Sequence, residues 1–166
     1  MLGASYGKSQ WKENNSMNSK CPPDLSSRPL KMTWEGFINA SPEKIYEAWT
    51  SKFDLWFAQP GATLMTPEVD RPYFFYNKNE WGRHPHYGRF LELRKNEVVE
   101  MTWLTGNGTD VGTEGAETVI RVELVPQDNG TMVHFTHSGF VNERSRDGHR
   151  ENWPLAFEEL EKAIHK

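Results

Sequence analysis

The chain has one cysteine, Cys21, so an intrachain disulfide is excluded. That usage fits a reducing compartment. No apolar run approaches the ~18 residues that a membrane span needs, and the opening MLGASYGKSQWKENN lacks the apolar stretch of a secretory signal. Positive charge is not concentrated anywhere. Nineteen Lys and Arg are scattered among 23 Asp and Glu, for a formal net charge of −4, so no footprint for nucleic acid or an anionic membrane is present. No Cys-x-x-Cys and no His-Glu-x-x-His marks a metal site. These absences leave a cytoplasmic protein without a membrane span as the expectation.

Aromatic residues are abundant: 7 Trp, 9 Phe and 5 Tyr. Such rings fill a core or line a cavity. Residues 1–27 are polar and without period and read as a disordered leader, with a single domain over 28–166. Met17 is an alternative start. LKMTWEGFIN then alternates as a half-buried strand. In SPEKIYEAWTS, Ser41 is suited to the N-cap, Pro42 to the first helical position and Glu43 to the positive end of the helix dipole. KFDLWFA predicts a second short helix that stops at Pro60-Gly61. Strands follow at 62–69, 72–77, 86–94, 98–105, 116–126 and 131–138, the last two joined by a turn at Asp128-Asn129-Gly130. A helix over roughly 147–164, with Asp147 or Asn142 as its cap, closes the chain, with Trp153, Ala156, Leu160 and Ala163 on one face and a kink or late start at Pro154. No internal repeat appears. The order predicts an α+β domain in which about six antiparallel strands curve around a long C-terminal helix.

These motifs, in this order, resemble the START-like, helix-grip superfamily that includes the birch-pollen-allergen fold. More closely they resemble the family of the activator of heat-shock protein 90 ATPase. The resemblance rests on Ser41-Pro42-Glu43 with Trp49, Trp56-Phe57-Ala58, Pro60-Gly61, Gly88-Arg89-Phe90-Leu91-Glu92, Met101-Thr102-Trp103, Thr136-His137-Ser138-Gly139-Phe140, and His149 with Trp153-Pro154. RHPHYGRF together with GTEGAET is similar to one bacterial-looking subgroup of that family. The resemblance implies the helix-grip architecture, and a fold of this kind hosts many functions.

Strand alternation places Val133, Phe135 and His137 on the inner face and His134 on the outer one. Ile120, Val122, Leu124, Val99, Met101 and Trp103 also face inward. His149 and Trp153 lie four apart, on one face of the last helix. The expected ligand-binding set is Trp56, Tyr76, Trp103, Phe135 and Trp153 as walls, with His86, His137 and His149 as polar anchors for a small hydrophobic or aromatic molecule. For His137 a hydrogen-bonded core histidine is the commoner role, a ligand anchor the sharper one and a general acid-base the third. NEWGRHPHYG (79–88) reads as a hairpin tip entering a strand, with Trp81, His84 and Tyr87 at the rim of a cavity mouth. His84 and His86 share a face, but a metal needs further ligands from Glu80, Glu92 or His137, and no cofactor or metal is assigned. Ser138 follows His137 but stands outside any Gly-x-Ser-x-Gly. The glycine-rich stretch 106–115 reads as a mobile loop, because a strand follows it where phosphate loops need a helix. Glu92 and Glu100 are candidates for a carboxylate pair, with solvent exposure the commoner role. The favoured function is non-enzymatic ligand binding. The alternatives are a cyclase, aromatase or hydrolase using the cavity histidines, and a chaperone-ATPase-interacting module, as the family name suggests.

Overall fold

The computed structural model describes residues 17–79, 82–105 and 112–166. The expected hairpin tip at Glu80 and Trp81, and residues 106–111 of the glycine-rich loop, lie outside these. A two-residue strand β1 (Met17–Asn18) precedes β2 (Leu30–Ile38), α1 (Pro42–Trp49), one 3₁₀ turn (Phe53–Leu55), β3 (Thr63–Leu64), β4 (Pro72–Asn79), β5 (Gly82–Arg94), β6 (Val98–Thr105), β7 (Thr118–Gln127), β8 (Gly130–Phe140) and α2 (Glu143–Ile164). The second expected helix is therefore a single 3₁₀ turn. All strand pairs are antiparallel, in the order β2-β8-β7-β6-β5-β4-β3, and β1 joins β5 off this path. The sheet curves around α2, as the helix-grip pattern requires. Among the described residues no helix is long and apolar enough to cross a membrane.

Local chemistry explains the boundaries. Ser41 caps α1 by accepting from the Lys44 amide, and Pro42 opens the helix without forfeiting a bond. Ile45, Ala48 and Trp49 form its buried face. The long helix begins at Glu143, four residues before the expected start, because the Asn142 side chain accepts from the Ser145 amide. Pro154 lies inside it without ending it. Phe157 joins Trp153 and Leu160 on its buried side and stacks on Trp34 of β2, with ring centres 3.9 Å apart. In β5 the register shifts between Phe90 and Glu92, a bulge that lets the long strand bend. Gly88 is where β5 passes closest to β6: a Cβ there would strike the Thr102 carbonyl.

The described part of the expected leader is attached to the sheet. Met17 and Asn18 pair with Leu93 and Glu92, and the Ser19 amide donates to the Leu91 carbonyl at 2.6 Å. Asp70 accepts from the Ser19 hydroxyl (2.5 Å) and the Lys20 amide (3.1 Å). Arg89 donates to Asp70, Ser19 and the Cys21 carbonyl. Arg28 then donates to the Gly139 and Glu117 carbonyls. Residues 17–28 thus run from β5 across to β8. They differ from the disordered leader that their composition predicts, because the attachment uses backbone and charge rather than an apolar face.

Candidate functional site

Alternating strand residues and the buried faces of α1, the 3₁₀ turn and α2 meet in an interior made largely of rings. Trp153 lies against Phe135 (4.5 Å), Trp103 (5.4 Å), Phe57 (5.8 Å) and Trp49 (5.9 Å). Phe75, fully buried on β4, lies 4.7 Å from the His86 ring and within 7° of parallel to it. Phe57 and Trp103 approach His86 at 5.7 and 5.0 Å.

Three histidines enter this interior, and their hydrogen bonds fix their protons. The Thr118 hydroxyl donates to the Trp103 carbonyl at 2.6 Å, so it accepts from His137 Nε2–H at 2.7 Å. The indole N–H of Trp153 donates to His137 Nδ1 at 3.0 Å. Both contacts require the same neutral tautomer, and both ring nitrogens are then occupied. His86 Nδ1 lies 3.1 Å from the His84 carbonyl, and His149 Nδ1 lies 2.7 Å from the Ser145 carbonyl. A carbonyl only accepts, so in each ring Nδ1 carries the proton and Nε2 is a bare acceptor. Burial disfavours the imidazolium in all three. It lowers His86 to about 3 against the raising effect of the His84 carbonyl, with like-charge repulsion from His149 and His84 adding to it. It holds His137 well below, and His149 below, the ordinary histidine value.

The expected residues divide. Trp103, Phe135, Trp153, His86, His137 and His149 meet in the interior. His137 is fully buried and has no nitrogen left for a ligand, so its place is that of a hydrogen-bonded core histidine that orients Trp153. Trp56 is half-buried and donates to the Ala48 carbonyl at 2.8 Å, one layer behind Phe57. Tyr76 is corrected: it alternates with the inward Phe75, lies on the other face and carries Arg83 over its ring at 5.3 Å. Tyr87 likewise points outward, paired with Phe74 and Leu104 rather than rimming a mouth. His84 sits two pairs beyond His86 on β5, opposite Asn77. Trp81 lies outside the described residues. Phe57 and Phe75 were missed. The run Tyr73-Phe74-Phe75-Tyr76 is aromatic on both faces, so alternation in the sequence gives no sign of which ring is buried.

Glu92 and Glu100 face each other across β5 and β6, and Arg121 lies between them at 2.6 and 2.7 Å. The guanidinium offsets a like-charge pair that would otherwise destabilise the sheet, so these carboxylates are structural. Among the described residues no three His, Cys, Asp or Glu side chains converge to hold a metal.

A family model described as Activator of Hsp90 ATPase homolog 1-like protein matches residues 39–165. The chain belongs to this family. The Activator of Hsp90 ATPase homolog 1-like family lies within the START-like superfamily, whose fold is generally a ligand-binding one. No curated protein matches the chain. Among solved structures, MLL2253 from Mesorhizobium loti is 24% identical, with a TM-score of 0.68 over 82% of this chain and 97% of that one. SA2116 from Staphylococcus aureus, a protein of unknown function, is 20% identical, with a TM-score of 0.66 over 82% and 93%. CV1439 from Chromobacterium violaceum is 16% identical, with a TM-score of 0.68 over 83% and 99%. At these identities the likeness establishes the family's fold and nothing finer.

Proposed function

We propose that this family member binds a small, largely apolar or aromatic molecule between the curved sheet and α2, at the place where Phe57, Phe75, His86, Trp103 and Trp153 meet. The observation that carries the reading is His86. Its ring is 7% exposed and stacked among aromatic rings, yet Nε2 has no partner among the described residues. A lone pair set among aromatic rings is an acceptor that a ligand can use. Apolar walls with a few placed polar atoms are the ordinary make-up of a small-molecule site.

Two measurements test this. Native mass spectrometry of the purified protein, before and after denaturation, reads any retained molecule and its class. NMR titration with naphthalene as the probe is the decisive one. Saturable shifts centred on Phe57, Phe75, His86, Trp103 and Trp153 are expected. Shifts that do not saturate, or that map elsewhere, reject the site.

A further inference from the structure

We infer that the site selects neutral aromatic ligands that carry a hydrogen-bond donor, such as a hydroxyl or an amide N–H, over ethers and carboxylates of the same shape. The inference rests on the binding reading above and names its ligand class.

The argument is one of donors and acceptors. His86 and His149 both spend Nδ1–H on a backbone carbonyl, so both present Nε2 as a lone pair. No partner for either Nε2 occurs among the described residues. Neither atom is among the sealed unpartnered ones. Four donors nearby are already committed to protein acceptors. Trp153 N–H goes to His137, the Thr118 hydroxyl to Trp103, the Ser145 hydroxyl to Gly112 and Trp56 N–H to Ala48. Trp49 Nε1 is an unpartnered donor, but it is sealed in the core and reaches no ligand. Among the described residues the buried polar side chains are Thr, Ser and His, and no Lys or Arg is among them. A carboxylate would therefore meet lone pairs without a counter-charge, and an ether would leave those lone pairs empty. A site built to hydrogen-bond a hydroxyl rejects the analogue that lacks it, because its own polar atoms then go unpaired. Burial also keeps these imidazoles neutral at pH 7, so they do not become donors there.

The test uses the intact chain at neutral pH with three probes: 1-naphthol, 1-methoxynaphthalene and 1-naphthoate. NMR titration is expected to show 1-naphthol binding roughly tenfold tighter than the methyl ether, with the carboxylate weaker still. Nitrogen-15 spectra of the imidazoles are expected to show bare Nε2 in His86 and His149. At least one of these signals should shift with 1-naphthol and not with the ether. His86→Phe and His149→Phe each keep an aromatic ring, and at least one should abolish the difference between the alcohol and ether affinities. Equal affinities for alcohol and ether overturn donor selection and leave the apolar site standing. Protonated Nε2 in both free histidines overturns the inference directly, as does a preference that survives both substitutions. No saturable binding by any probe overturns this inference together with the binding reading.

Discussion

Trp153→Ala is expected to bring the protein close to unfolding at room temperature. The side chain is 3% exposed and touches Trp49, Phe57, Trp103, Phe135 and Phe157. Truncating a buried Trp to Ala costs about 3–5 kcal/mol. Here it also strips His137 Nδ1 of its donor inside the core, a loss of about 1–3 kcal/mol. A domain holds only about 5–15 kcal/mol in all. Trp153→Phe helps to separate the two contributions, since it keeps most of the ring contact but loses the N–H. Its expected cost is about 1–3 kcal/mol. Urea denaturation followed by circular dichroism measures both. If the alanine variant melts within 1 kcal/mol of the phenylalanine variant, as a rough threshold, the ring packing described above is not what holds the two layers together.

Stability is expected to fall steeply as pH drops below about 6.5, the value at which unfolded histidines begin to protonate. In the folded protein burial depresses His86, His137 and His149, so between the two values the unfolded chain binds more protons. The stabilisation is complete above pH ~6.5 and is lost progressively on acidification, at about 1.4 kcal/mol per pH unit for each fully neutral histidine. For His86 the loss continues down to about pH 3, where the folded ring itself takes a proton. Carboxylates in ion pairs, such as Glu92, are also held below their ordinary range and contribute to acid sensitivity at lower pH. His86→Phe isolates one share. Urea midpoints between pH 6 and 4 should give a slope shallower than wild type by about 1.4 kcal/mol per pH unit. An unchanged slope would mean that His86 is not buried as a neutral ring.

Where the sequence alternates cleanly, the faces of the sheet could be read from it directly. Val99-Met101-Trp103, Ile120-Val122-Leu124 and Val133-Phe135-His137 all lie inward as their spacing requires. The spacing of His149 and Trp153 put two partners of His137 on one helix face, and both are found against it. Reading failed where the pattern carries no contrast. Four consecutive aromatics at 73–76 hide the difference between Phe75 inside and Tyr76 outside. The 3₁₀ turn brings Phe57 rather than Trp56 onto His86, and no periodicity signals a choice between adjacent rings. The core role of His137 was legible, but the occupancy of each ring nitrogen was not. Whether a ring nitrogen is occupied depends on a carbonyl or hydroxyl brought close only by folding, as Thr118 is for His137 across 19 residues.

The attachment of residues 17–28 bears on any shortened version of the chain. β4 covers the edge of β5 only as far as Arg89, and Val69 and Asp70 cover Phe90. Beyond that point β1 and Ser19 satisfy the backbone at Leu91, Glu92 and Leu93. Composition alone would place the domain boundary at residue 28. Cutting there would bare an apolar stretch of open strand edge and free Arg89 and Asp70 from their shared partner Ser19. Exposed edges of this kind template pairing with another chain. The trimmed protein is therefore expected to self-associate where the longer one stays dispersed, a difference that light scattering at matched concentration would register. That outcome would give a stretch with the composition of a dispensable tail the role of covering a strand edge.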